Sequence, residues 1–278
     1  MKKTAQRSNR VWSVVMTIVC VLYMYPIFMV LSNSLKVENA ISTSTAFELP
    51  SADTFAGLDN YVNAISSQGF LSSLFYTTFI TVTSVVAILL FCSMFAWYIT
   101  RVNTRVTKAL YLLCAFSMVV PFQMVMFTLS SMADTLKFNT PWTLWIIYLG
   151  FGAGLAVFMF CGFMRSVPID IEESGRIDGA NRFQVFTRIV LPLVRPGIVS
   201  TAIYVFINAW NEFLYALLLV SSSTKTTLSV AVKTLEGADI LNWGSMMAAS
   251  AIVVLPSIIF FCMIQNKIAG GLADGAVK

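Results

Sequence analysis

Two stretches of this chain carry residue types and spacings that could do chemistry. In "FINAWNEFLYALLL" Asn208, Asn211 and Glu212 stand at i, i+3 and i+4, which on a helix places two amides and a carboxylate on one face. Inside an apolar run an ionised carboxylate is costly, so such a face borders a wet pathway or a polar contact between helices. The same spacing is also consistent with Glu212 lying near the outer surface or being protonated. A proton relay fits poorly, because no second buried acid or histidine accompanies it. The second stretch, "IEESGRIDGANRFQVFTRIVLPLVRPG" from Ile171 to Gly197, gathers acids, small residues and arginines in the most polar part of the sequence. With no histidine there is neither an imidazole base nor a His metal site. Cys20, Cys92, Cys114, Cys161 and Cys262 lie singly in apolar runs and read as small buried hydrophobes. No GxxxxGK[ST] phosphate loop occurs, so nucleotide hydrolysis is not this chain's chemistry.

The elements that must position these residues are membrane helices. Of 278 residues 58% are hydrophobic and 11% charged, with a mean hydropathy of +0.79, well below the roughly 25% charge of a soluble domain. Runs near the ~20 residues needed to cross a bilayer fall at Val11–Leu31, Phe70–Ile99, Ala109–Leu129, Trp142–Met164, Gly197–Val220 and Met246–Met263. The expected fold is an all-α integral membrane protein, one transmembrane domain over 1–278, with about six transmembrane helices. Four basic residues, Lys2, Lys3, Arg7 and Arg10, precede the first run, which is longer than a signal-peptide core and lacks an Ala-x-Ala site; it reads as an anchor that stays.

With both termini inside, only Lys36, Lys137, Lys225 and Lys233 of the 18 Lys and Arg fall outside, so the positive-inside rule sets the orientation. The net charge of +5 is then topology rather than a nucleic-acid patch. External loops are expected at 32–69, 130–141 and 221–244. In the first, Phe55, Leu58, Tyr61, Val62 and Ile65 recur at helical intervals and suggest a short amphipathic helix lying on the bundle or a partner. Thr77, Thr81 and Ser84, and the "GFGAG" of the fourth span, read as close-packing positions. Pro26, Pro121 and Pro256 predict kinks or local breaks.

The polar stretch falls in a cytoplasmic loop, 165–197, with its own helix punctuation. Pro168, Asp170, Glu172 and Glu173 suit a helix start, and Gly179 after Asp178 suits its end. A second helix from about Ala180 would put Phe183, Phe186 and Ile189 or Val190 on one face until Pro192 and Pro196 stop it. Ser174 and Gly175 sit where a self-supporting helix prefers Ala or Leu, as if another protein must approach closely. An interfacial connector lying on headgroups, with Arg182, Arg188 and Arg195 facing anionic lipid, is the plainer alternative.

Glu173-Ser174-Gly175, three residues, Gly179, nine residues, Ile189, one residue and Leu191-Pro192 resemble the Glu-Ala-Ala loop of bacterial ABC importer membrane subunits. "RIDGANRFQVFTRIVLPLVRPG", "SNSLK", "NYVNAI", "NAWNEF" and "GGLADGAVK" fall in the order of the maltose-type carbohydrate uptake family, so the resemblance covers nearly the whole chain. One departure is Ser174-Gly175 for Ala-Ala, which softens the helix by up to about 1 kcal/mol.

The resemblance implies a bacterial cytoplasmic-membrane permease subunit for sugar import, multi-pass, that is not itself an enzyme. Its implied partners are a second homologous permease, two cytoplasmic ATPase subunits that bind ATP and Mg, an extracytoplasmic sugar-binding protein and the bilayer, with no nucleic acid and no cofactor held by this chain. Glu172, Glu173, Ser174, Gly175, Arg176, Asp178, Gly179, Ala180, Ile189, Leu191 and Pro192 would couple to the ATPase, with Gly275, Val277 and Lys278 of the tail reaching the same interface. Asn208, Asn211 and Glu212 are the pathway candidates. Competing classes are an importer for a phosphorylated polyol or peptide, and an ATP-independent channel or secondary transporter. The last would want paired intramembrane charges or inverted repeats.

Overall fold

A computed structural model describes residues 2–45, 47–67, 69–220, 225–235 and 242–276. Helix dominates, because backbone groups shielded from water must bond within their own segment. Among the described residues four helices are long and apolar enough to cross a membrane, or up to six if each of two sharply bent pairs is one span. The chain divides into two compact units, Met1–Phe70 with Val232–Leu255, and Leu71–Ala231 with Pro256–Lys278.

The first unit holds α1 (Lys2–Ser34), α2 (Glu38–Thr43), α3 (Asp59–Ser66) and the start of α14 (Trp243–Ala276). The long loop after α1 does carry structure of its own. Lys36 and Phe55 form an antiparallel bridge, and the buried Asn60 amide donates to Ser34 O at 2.9 Å and Lys36 O at 2.8 Å. The Glu38 carboxylate accepts from Trp243 N at 3.1 Å and Gly244 N at 3.0 Å, where α14 begins. The expected amphipathic helix is α3, and of the two placements expected for it, on the bundle or on a partner, its apolar side does not take the first. Asn60 and Ala64 are buried, while Phe55, Leu58, Val62 and Ile65 are exposed. Loop carbonyls needing donors hold the polar face in, since a buried carbonyl without a partner is costly.

The second unit contains α4 (Phe70–Arg101) from Leu71, α5 (Arg105–Ser117), α6 (Phe122–Leu136), α7 (Leu144–Arg165), α8 (Ile169–Ile177), α9 (Arg182–Gln184), a π-helical turn Val185–Val190, α10 (Leu191–Leu193), α11 (Arg195–Asn211), α12 (Leu214–Leu219), the start of α13 (Leu228–Thr234) to Ala231 and the rest of α14. Helices α4 and α7 form its centre, and Ile88, Ala96, Ala156, Val157, Phe160 and Val205 interlock there. Gly154 lets α5 approach α7: a Cβ there would lie 2.8 Å from Cys114 O. Thr77, Thr81 and Ser84 are buried, and the Thr77 hydroxyl accepts from Leu228 N at 2.7 Å, tying α13 to α4. Cys92 and Cys161 are buried as expected, but Cys20 and Cys262 lie on exposed faces of apolar helices.

Three span boundaries differ from the sequence reading. The third run breaks at Met118–Pro121 and turns by 104° between α5 and α6, with Pro121 as the cap of α6. Pro26 and Pro256, by contrast, sit inside unbroken helices. The loop placed at 130–141 is mostly helix, since α6 runs to Leu136 before Lys137 turns left-handed at φ 61°. The fifth run is not continuous to Val220: α11 ends at Asn211 and the chain restarts at Leu214. Of the loop 221–244, residues 221–224 and 236–241 lie outside the described residues.

Candidate functional site: the loop 165–197 and the break at Glu212

Helix α8 starts as its sequence dictates, with Pro168 as N-cap and Asp170 and Glu172 in the first turn. Its end is a Schellman motif built on Gly179 at φ 87°. Ala180 N bonds to Gly175 O and Gly179 N to Arg176 O, both at 3.0 Å. Only a left-handed residue closes this turn, and glycine adopts it without Cβ strain. The chain then enters α9 through a reciprocal capping box between Asn181 and Gln184, so the second helix begins at Arg182 rather than Ala180.

The second helix ends where the prolines fall: it runs to Leu193, breaks at Val194 between Pro192 and Pro196, and the chain turns by 80° into α11, whose first turn holds Pro196, where a missing N–H costs little. The π turn also redistributes the expected apolar face. Its longer i→i+5 bonding brings Val185 and Val190 to the same side with Phe186, all buried, and leaves Phe183 65% exposed.

Two sequence-assigned docking residues face inward. Glu172 is fully buried. Its Oε1 accepts from Arg101 Nε at 2.8 Å and NH2 at 2.7 Å, and its Oε2 from Trp97 Nε1 at 3.0 Å. Arg101 NH2 also donates to Val167 O at 2.9 Å. A carboxylate this far from water is retained because both of its oxygens meet donors, one of them doubly from a guanidinium. Gly175 is buried too, and a Cβ there would strike Ile189 Cδ1 of the π turn, so its small size serves contact within this chain rather than approach by another protein. What the loop turns outward is Glu173, Ser174, Arg176, Ile177 and Asp178 of its first helix and Phe183 of its second. Ile177, 85% exposed, is the most prominent apolar side chain of this face. Ala180, Ile189 and Leu191 are half-buried and Pro192 is exposed.

At the other candidate site Glu212 leaves the helix that its spacing assigned it to. It has extended backbone geometry at φ −68°, ψ 131°. Its Oε2 accepts from Tyr148 OH at 3.1 Å, Tyr215 N at 2.9 Å and Ala216 N at 3.4 Å, which caps the start of α12. The carboxylate therefore makes the break, supplying bonds that a helix ending inside an apolar segment would otherwise lack. Asn208 and Asn211 donate back to Tyr204 O and Ile207 O, both at 2.8 Å. All three residues border an open cavity of about 490 Å³, and Asn208 and Glu212 also border a narrower one of about 110 Å³ walled by Tyr148, Tyr204 and Tyr215. The tail divides: Gly275 lies in the last turns of α14, while Val277 and Lys278 lie outside the described residues.

Sequence reasoning missed Arg101, Trp97 and Tyr148. In the sequence Arg101 is one of the basic residues of the inward side, and what marks it further is a Trp and an Arg at i, i+4 closing a span, opposite a loop rich in acids.

Residues 88–270 match the family profile described as "Binding-protein-dependent transport system inner membrane component". The chain is 31% identical over 261 residues, 94% of each chain, to the "Probable starch degradation products transport system permease protein AmyC" of Thermoanaerobacterium thermosulfurigenes. It is 30% identical to the "Trehalose transport system permease protein SugB" of Mycobacterium tuberculosis, covering 96% of this chain and 97% of that one. With the "Melibiose/raffinose/stachyose import permease protein MelC" of Bacillus subtilis it shares 29% identity over the full length of both. A chain from the crystal structure of a bacterial ABC transporter that imports the acidic polysaccharide alginate superimposes with a TM-score of 0.79 at 22% identity, over 94% of this chain and 97% of that chain. This polytopic helical chain, with its polar loop between the fourth and fifth spans, belongs to the family of inner-membrane components of binding-protein-dependent transport systems.

Proposed function

We propose that this chain is the membrane-spanning subunit of an ATP-driven sugar importer, forming half of the translocation pathway with a second, homologous permease. The observation that carries the coupling role is the outward face of α8: Glu173, Arg176 and Asp178 around the exposed Ile177, on a helix whose opposite side is locked to its own chain through Glu172 and Gly175. A short helix held from behind, with a mixed acidic and apolar face in front, is built to be pushed by a partner. Two ATPase subunits, which hold the ATP and Mg, would seat this face, and the basic loops around it favour the cytoplasmic side, with both termini inside. Closure of the ATPases would switch the bundle between inward- and outward-facing states as a rigid-body transition.

Sugar as cargo is supported by the transport systems named for the relatives, which handle starch products, trehalose and the melibiose group. An extracytoplasmic binding protein would deliver it; the alginate transporter has been captured with its pentasaccharide-bound periplasmic protein. Asn208, Asn211 and Glu212 would border the pathway at the α11 break. The test is ATP hydrolysis by the complex reconstituted with its ATPase and binding protein, screened against trehalose, raffinose, maltodextrins, a phosphorylated polyol and a short peptide. Stimulation by a sugar alone is expected; stimulation only by the phosphorylated polyol or the peptide overturns the sugar assignment, and failure of any ATPase to co-purify overturns the coupling role.

A further inference from the structure

The end of α4 meets the loop 165–197 at three separate places. Arg101 reaches Val167 O, ahead of α8. Arg101 and Trp97 together grip Glu172 within α8. The Trp97 ring also lies 5.3 Å, centroid to centroid, from Phe186 of the π turn that follows. One turn and a half of α4 thus touches the entry to the loop, its first helix and its second.

The rest of the loop's packing is apolar. Val167, Val185, Val190 and Val194 close against Met164 and Phe186, and Gly175 receives Ile189. Each dispersion contact of this kind gains only ~0.1–0.2 kcal/mol, and apart from Ile189 in the gap at Gly175 nothing in this bed is directional. A buried ion pair differs: it is worth little as net stability, and its best-attested use is to fix one register. Here Glu172 is fully buried and Arg101 nearly so, the guanidinium fork spans the carboxylate and a backbone carbonyl, and the indole N–H takes the remaining oxygen. Lysine could supply the charge but not the fork.

We propose that Arg101, with Trp97, is a positioning residue for energy coupling: it pins the loop to α4 so that displacement of α8 moves the second membrane span as one lever. This rests on the coupling reading of α8 proposed above. The polar joint is the strongest bond between α8 and the span, and without it a pushed α8 would slide on its valine bed.

The test uses the complex with its ATPase and binding protein in proteoliposomes, with the native cysteines replaced by alanine and Phe75→Cys introduced on an exposed face of α4. A membrane-impermeant maleimide then reports ATP-driven movement of α4 without any need to know the cargo. Arg101→Lys and Trp97→Phe are compared with the parent. In Arg101→Lys hydrolysis continues while the ATP-dependent change in labelling rate, and sugar uptake per ATP, fall about tenfold or more, within the usual range of coupling between sites. Trp97→Phe keeps the ring on Phe186 but loses the N–H donor, and falls part of the way. An unchanged ATP response in both variants overturns the proposal. So does loss of the chain from the membrane in both, which would make the joint a folding element. If no ATPase associates with the parent chain, the coupling reading itself fails, and the lever loses its driver.

Discussion

Replacing Gly175 with alanine, the residue its resemblance family uses at that place, sets two effects of similar size against each other. Alanine gains about 1 kcal/mol of helix propensity over glycine inside α8. Against this, its Cβ would overlap Ile189 Cδ1, and overpacking a closed contact costs about 1–3 kcal/mol. The colliding atom is the end of a flexible side chain, which places the cost at the lower part of that range. Gly175→Ala alone should therefore be near neutral to about 2 kcal/mol destabilising. Ile189→Val removes Cδ1 and leaves Cγ1 at 3.8 Å from the new Cβ, an ordinary contact. Alone it opens a small void and costs about 0.5–1.5 kcal/mol, but in the double variant the Cβ fills that void and the propensity gain survives. The two substitutions should then be coupled favourably by about 1.5–4.5 kcal/mol, the overlap of about 1–3 kcal/mol relieved and the void of about 0.5–1.5 kcal/mol filled. Thermal unfolding of the four proteins in detergent reads this as a double variant melting several degrees above the additive value, at roughly 2 °C per kcal/mol for a chain of this size. Additivity within about 0.5 kcal/mol would refute the claim that Gly175 is required by Ile189.

Other substitutions probe separate links. Glu172→Ala strands the Arg101 guanidinium with only Val167 O and should cost about 3–5 kcal/mol, seen as a large fall in melting temperature or in membrane level. Gly179→Val forces a β-branched residue to φ 87°, where nothing lies near its Cβ; the penalty is backbone strain of at least about 1–2 kcal/mol, and the chain should insert yet hydrolyse ATP without transport. Glu212→Ala removes the cap of α12 and the partner of Tyr148, for about 1–3 kcal/mol, whereas Glu212→Gln keeps an acceptor and should retain most of the stability; equal melting temperatures for the two would contradict the capping role. Ile177→Glu leaves the fold untouched, since the side chain is 85% exposed, but should abolish ATPase co-purification.

Much of the architecture was legible because it depends on solvent and on local chemistry. Apolar runs marked the four long helices and fell within the two bent pairs, and Pro168 and Gly179 marked the two ends of α8, since capping and left-handed turns are decided within a few residues. The apolar side of the short helix at 59–66 was also visible, though not which way it would turn. Periodicity reports that a helix has two faces; the demand of Ser34 and Lys36 carbonyls for the Asn60 amide chose between them.

At the sites the division is sharper. Composition and motif spacing were enough for a membrane permease with a polar, two-helix loop in a known place; they marked Gly175 and Glu212 as unusual and gave Glu172 to the helix start and the docking face. Only the tertiary structure decided what each is for. Glu172 holds Arg101 across 71 positions, Gly175 admits Ile189, and Glu212 bonds Tyr148 across 64 positions and ends its helix. Spacing rules reach about one helical turn, while a buried charge finds its partner wherever the packed chain brings a donor within 3 Å.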